Sequence, residues 1–242
     1  MRPFVSLSVI VLAANETDSL RRTIDGVLEN CAYEDIERIV VFLKSDDCPS
    51  AYTAREIIEE GICDKIEACV QNSAVTEEAF AEIPYLVTGS HFVIMASDGE
   101  MDPRSLKDFI AIAKQKPNSI VCAAKWNKES VVEGHPFHRS LGSRFIDSFA
   151  AVVFGVKATD LFSIFQIYPV DLYKEMNFEP KRLLYEYTLK PLRFGAEYIE
   201  IPTVYRKDKG RETNLSVLKL AGIAAKYCMN VLRIRFLPKK YL

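Results

Sequence analysis

The sequence predicts an α/β fold, a mostly parallel central sheet flanked by helices, on three observations. Apolar, β-branched runs alternate with helix-like segments, as strands and crossovers do in a parallel sheet. The runs are nearly continuous rather than alternating, which marks strands covered on both faces. With 242 residues, 49% hydrophobic and 26% charged, the chain is long enough to bury a real core without staples.

The first run, Phe4–Ala13, is short and flows into a polar helix start at Asn15-Glu16-Thr17-Asp18, as a buried strand does and a signal peptide does not. Strands follow at Ile39–Leu43, Ile66–Val70, Phe92–Ala96 and Ile120–Ala124. Between them the spacing predicts helices over Asp18–Asn30, Ala51–Glu60, Thr76–Leu86 and Arg104–Lys114. The last of these carries Leu106, Phe109, Ile110 and Ala113 on one face, after Asp102 as N-cap and Pro103 at the first helical position. A mixed half completes the chain, with helices over Phe137–Gly155 and Tyr185–Arg193 and a strand over Tyr198–Tyr205 that ends at the charged segment Arg206–Arg211. No repeat or linker divides residues 1–215, which read as one domain, and residues 216–242 read as a C-terminal amphipathic helix.

In that helix Lys219, Lys226, Arg233 and Lys240 recur every seven residues and share one side, with Leu220, Ile223, Ala224, Tyr227, Val231 and Ile234 on the others. The charges make a membrane span too costly. Two readings remain: the helix lies in an anionic lipid surface, or it packs on the protein with a solvated basic stripe.

Composition excludes other classes. Lys plus Arg number 31 against 33 Asp plus Glu, a net charge of −2 that gives no global field for nucleic acid. The six cysteines form no Cys-x-x-Cys pair and read as reduced thiols in a cytoplasm, neither zinc ligands nor disulfides.

Ligands of open α/β sheets bind outside the carboxyl ends of the strands. The polar segments there are Asn15-Glu16, Lys44-Ser45-Asp46-Asp47, Asp98-Gly99-Glu100 and Lys125, and neither a Gly-x-Gly-x-x-Gly nor a Walker sequence is present. In the run from His91 to Pro103 a buried strand leads directly into Asp98, Glu100 and Asp102. On an extended backbone all three point the same way. Two such carboxylates suit Mg²⁺ or Mn²⁺, hard cations that keep positions for substrate phosphates. By pattern alone a solvated acidic loop fits equally well, and Asp102 reads as structural.

Together these segments resemble inverting glycosyltransferases of family 2, with a GT-A-type (Rossmann-like) fold, and among them the bacterial polyprenyl-phosphate sugar synthases related to dolichol-phosphate mannose synthase. The resemblance runs over roughly residues 5 to 215. It rests on Asn15-Glu16 after the first strand, Met95-Ala-Ser-Asp98-Gly-Glu100-Met-Asp102-Pro103, Ala124-Lys125-Trp126 and Arg139-Ser-Leu-Gly-Ser143-Arg144. It continues through Thr159-Asp160-Leu-Phe-Ser-Ile-Phe165, Tyr185-Glu186, Gly195, Glu200-Ile-Pro202, and Arg206 with Gly210-Arg-Glu-Thr-Asn214. The chain departs from the family pattern at Ala96 in the metal motif, at Leu12, at Lys44 where a base-reading aspartate is expected, in Asn72-Ser-Ala-Val-Thr-Glu-Glu, and at Asn214.

The resemblance implies transfer of a hexose from a nucleoside-diphosphate sugar to a polyprenyl phosphate, with a divalent Mg²⁺ or Mn²⁺ on Asp98 and Glu100. It places the acceptor phosphate on Lys125, Arg139 and Ser143 and sets Arg206 on a closing loop beside the donor diphosphate. Glu16 falls at the donor end, and Asp46, two residues on from Lys44, substitutes for the base-reading aspartate. Asp160 and Glu186 read either as a general base for a hydroxyl acceptor or as supports that orient a basic residue. The implied setting is the cytoplasm or the inner membrane surface, for a monomer or a homodimer. Two rivals stay open: the same fold acting on a glycan or small-molecule hydroxyl, and a non-catalytic nucleotide-sugar-binding domain.

Overall fold

The computed structural model describes residues 3–73, 76–134, 137–174, 176, 178, 183–206 and 217–238. Its main sheet grows outward from β1 (Leu7–Ala13), which pairs in parallel with β2 (Ile36–Leu43) on one side and β4 (His91–Ala96) on the other. β3 (Ile66–Val70) extends the β2 edge. Beyond β4 lie β7 (Gln166–Pro169), β5 (Ser119–Ala123) and β8 (Glu197–Ile201), giving the order β3-β2-β1-β4-β7-β5-β8. β7 alone in this sheet runs antiparallel to its neighbours.

Period-two alternation divides the core between the two faces of this sheet. Leu7, Val9 and Val11 of β1 pack with Leu20, Ile24 and Val27 of α1 (Asp18–Asn30), Ile57 of α2 (Pro49–Glu59) and Phe109 of α4 (Ser105–Gln115). Ile10 faces the other way, with Phe80 and Ile83 of α3 (Thr76–Leu86) and Tyr173 of α6 (Val170–Lys174). Because both faces are covered at the centre of the sheet, β1 and β4 are apolar over most of their length, as the sequence predicts.

The structure differs most from expectation in three places. β7 is a strand where none is predicted: four residues carry too little periodicity, and pairing with β4 and β5 decides the conformation. The strand expected over Tyr198–Tyr205 breaks at Pro202, which has no N–H for a ladder. Its remainder, β9 (Val204–Arg206), pairs instead with β6 (Val131–Glu133) in a separate two-stranded sheet. α4 starts at Ser105, and Asp102 Oδ1 accepts the Arg104 N–H at 3.0 Å in the turn leading into it.

α5 (Phe137–Phe154), α7 (Leu183–Arg193) and α8 (Val217–Phe236) form a third apolar cluster. Val231 and Ile234 of α8 are buried against Ala150 and Ala151 of α5 and Leu189 of α7. Arg193 donates to the carbonyls of Ile234 (2.7 Å) and Arg235, placing a cation at the helix C-terminus. The end of α8 is therefore a packed helix, yet Met229 and Phe236 are 70% and 77% exposed and Lys226 and Arg233 face outward. The Lys219 side chain and Lys240 lie outside the described residues. Among the described residues, no helix is long and apolar enough to cross a membrane.

Gly26 lets α1 approach the turn that follows the acidic loop. A Cβ there would stand 2.7 Å from Pro103 Cγ. Gly26→Ala gains about 1 kcal/mol of helix propensity. It is nevertheless expected to destabilise the protein by about 1–2 kcal/mol in urea denaturation, because overpacking costs more.

Candidate active site

β1 and β4 leave the centre of the sheet where its strand order reverses, and such a switch point opens a crevice at the strand carboxyl ends. A cavity of about 240 Å³ lies there, walled by Glu16 after β1, Phe42 of β2 and Lys44 just after it, Gln71 after β3, Phe80 of α3 and Asp98 after β4. A second cavity, of about 380 Å³, shares Glu16 and Asp98 and adds Arg22 and Glu100. Glu16 Oε2 accepts the N–H groups of Ala14 and Asn15 at 2.8 and 2.9 Å, which fixes the loop at the end of β1.

The acidic loop does not stay extended. It turns at Gly99, whose φ of +80° is strained for any residue with a side chain. Asp98 Oδ1 accepts the Glu100 N–H at 3.1 Å, Glu100 Oε2 accepts the Tyr205 hydroxyl, and the Glu100 carbonyl accepts the Arg206 N–H at 3.3 Å. Burial, then the bond to Glu100, pushes the Tyr205 phenol up, so it stays a donor. The turn, braced by β9, puts Asp98 and Glu100 on one cavity wall.

Asp102 turns aside and forms an ion pair with Arg104 at 2.5 Å. Burial pushes its carboxyl up, but hydrogen bonds from Arg104 outweigh this and hold it below the usual range. Among the described residues no three His, Cys, Asp or Glu side chains group as a metal cage. Asp98 and Glu100 still fit a hard cation that draws its remaining ligands from substrate phosphate and water, since each carboxylate has about four lone-pair positions.

A cationic end adjoins this loop. After β5, the Lys125 N–H donates to Asp160 Oδ2 at 2.9 Å, and the ammonium lies 3.9 Å from the same oxygen. The ammonium also lies 5.2 Å from the Tyr205 ring centre and 5.8 Å from that of Trp126. Tyr205 thus touches Lys125 with its ring and Glu100 with its hydroxyl. Ser143 donates to Asp147 Oδ2 at 3.4 Å, and Glu200 accepts the N–H groups of Thr159 and Asp160 at 2.6 and 2.8 Å.

Four expected residues are placed elsewhere or lie outside what is described. Asp46 is 83% exposed and pairs with Arg55, because β2 ends at Leu43 and puts Lys44, not Asp46, on the wall. Glu186 is buried on α7, with Lys190 Nζ 2.9 Å away, and lines neither cavity. Arg206 sits on β9 with Nε 3.2 Å from Glu133 and lines a different cavity, with Asp102 and Arg104. The side chain of Arg139 and the segment Gly210–Asn214 lie outside the described residues. Conversely, Tyr205, Asp147 and Glu200 were not singled out as site residues. Asp147 had a legible signal, one helical turn after Ser143, whereas Tyr205 had none.

An open sheet with an acidic loop at its switch point and a cation beside it defines the class of GT-A-type glycosyltransferases. The chain belongs to glycosyl transferase family 2, whose sequence profile matches residues 8–176. Among solved structures it is similar to glucosyl-3-phosphoglycerate synthase from Mycobacterium tuberculosis in complex with uridine diphosphate. That match has a TM-score of 0.66 and 14% identity and covers 96% of this chain and 81% of that one. The complex of that enzyme with Mn²⁺, uridine diphosphate and phosphoglyceric acid gives 0.66 and 14%, covering 96% and 79%. Its complex with Mn²⁺, UDP-glucose and phosphoglyceric acid gives 0.65 and 12%, covering 95% and 79%. No curated protein gives a significant match.

Proposed function

We propose that this enzyme moves a hexose from a nucleoside-diphosphate sugar to a polyprenyl phosphate at an anionic membrane surface, inverting the anomeric centre in one displacement. The donor would occupy the cavity between Lys44, Gln71 and Asp98, with its diphosphate toward Asp98 and Glu100. Mg²⁺ or Mn²⁺ held by those two carboxylates would supply the positive charge that the departing diphosphate needs. The uridine diphosphate and Mn²⁺ bound by the Mycobacterium tuberculosis enzyme support this assignment.

The observation that carries the acceptor class is the burial of both candidate bases. Asp160 is 1% exposed and bonded to the Lys125 amide, and Glu186 is buried beside Lys190. A hydroxyl acceptor needs a carboxylate within reach of its proton. A phosphate monoester, with a second pKa of about 6, arrives ionised and needs a cation instead. Lys125 is such a cation, with Ser143 as a hydroxyl donor. The exposed Met229 and Phe236, with Lys226 and Arg233 on the same helix, give α8 the apolar and basic groups that an anionic bilayer attracts.

A second reading, transfer to a small phosphorylated hydroxyl compound, is favoured by the phosphoglyceric acid bound in the similar structures. Calorimetry with Mn²⁺ and a panel of nucleoside diphosphates, followed by transfer assays to polyprenyl phosphate in anionic liposomes and to phosphoglycerate, separates the two. Metal-dependent binding with sugar appearing on the lipid is the expected result. Transfer to phosphoglycerate alone refutes the lipid acceptor, and binding without any turnover refutes catalysis.

A further inference from the structure

Two buried carboxylates stand behind Lys125. Asp147, on α5, and Asp160, in the loop before β7, are each 1% exposed. Asp147 lies one turn after Ser143 and so projects from the same side of the helix. It ties α5 to the turn before β7: Oδ2 accepts the Ser143 hydroxyl at 3.4 Å, and Oδ1 accepts the N–H groups of Leu161 and Phe162 at 2.8 and 3.3 Å. The neighbouring Asp160 holds the Lys125 amide at 2.9 Å.

Among the described residues few titratable groups face this pair, and one is the Tyr205 phenol, which burial pushes up. Lys125 and Glu200 bear charge, while burial keeps the Cys122 thiol and the Tyr198 phenol neutral by pushing both well above their ordinary values. α7 and α8 present Leu189, Val231 and Ile234, which do not titrate, and Tyr227, whose ring meets Phe162 at 5.6 Å. With both aspartates ionised, their two negative charges stand behind Lys125 and Ser143 at the place assigned to the acceptor's phosphate, where the Arg144 guanidinium also approaches the Trp126 ring, 5.9 Å from its centre.

We propose that Asp147 is the positioning residue of the acceptor end, tying Ser143 to the 160–162 turn whose Asp160 holds Lys125, and that one proton held by this buried pair of aspartates admits the phosphate. This rests on the phosphate-acceptor reading above. The protonation state follows from the surroundings: burial, then the charge of Asp160, pushes Asp147 up to about 7. Burial also raises Asp160, against the pull of Lys125. The proton therefore leaves the pair near neutrality, and its loss makes the site more negative.

The test compares the wild type with Asp147→Asn, whose amide oxygen still accepts from Leu161 and Phe162 but whose charge and proton are gone. With polyprenyl phosphate in micelles as acceptor, the wild-type KM is expected to rise about tenfold per pH unit above about pH 7, with kcat moving little. The acceptor is already a dianion there, so the change belongs to the protein. In Asp147→Asn the KM should stay flat, and a wild-type slope in this variant overturns the proposal.

A second readout needs no acceptor. A carboxyl raised from 3.8 to about 7 in the folded state contributes stability that is fully present below the lower value and lost as pH rises through the upper one. The melting temperature of the wild type should therefore fall relative to Asp147→Asn across that window. If lipid phosphate proves never to be a substrate, the proposed function fails, and the melting curves alone decide the shared proton. Parallel curves reject it and converging ones retain it.

Discussion

Replacing Asp98 by Asn, or Glu100 by Gln, is expected to cut sugar transfer by about 10²–10³-fold, the cost of removing one electrostatic stabiliser from a charge-developing site. Both substitutions keep the shape and the local bonds. An Asn at 98 still accepts the Glu100 N–H, and a Gln at 100 still accepts the Tyr205 hydroxyl. Only the negative charge is lost, so stability should stay within about 0.5 kcal/mol of the wild type. Asp102→Asn is the internal control. Its carboxylate serves Arg104 and the turn into α4, so transfer should change by less than about threefold while stability falls by about 1 kcal/mol. Initial rates at saturating Mn²⁺, with melting temperatures for the same preparations, decide the matter. Wild-type rates in both loop variants would remove the metal from Asp98 and Glu100.

That contrast between Asp98, Glu100 and Asp102 was legible in part. A buried strand running into acids at the carboxyl edge of a parallel sheet announces a site, and the Pro103 that follows Asp102 announces a helix start. The geometry that joins Asp98 to Glu100 was not legible. An extended backbone also puts the two on one side, but here a left-handed Gly99 and a hydroxyl from β9, more than a hundred residues away in sequence, do the joining. Strands β1, β2, β4 and β5 could be read because burial on both faces leaves a continuous apolar run. β6 and β7 could not, and β9 only as the end of one longer strand, since their partners, not their own residues, determine where they pair. Lys44 and Asp46 make the same point at smaller scale: three residues beyond the end of a strand, a side chain has left the cavity and joined the next helix.

Lys190→Met is expected to destabilise the fold more than any change in the acidic loop. The pair it breaks lies on α7, with Glu186 3% and Lys190 2% exposed and 2.9 Å between charged atoms, and the ammonium 5.6 Å from the Phe178 ring centre. Removing one partner of a buried ion pair costs about 3–5 kcal/mol, because the other charge keeps its desolvation penalty and loses its counter-ion. For a chain of this size that lowers Tm by about 10 °C. The double variant Glu186→Leu with Lys190→Met removes both charges together and should recover most of the loss, since apolar replacement of a buried pair is often neutral. The cycle also bears on the reaction. Glu186 borders neither cavity, so turnover should return with stability in the double variant. A double variant that melts like the wild type yet transfers no sugar would instead make Glu186 the base, and with it a hydroxyl rather than a phosphate the acceptor.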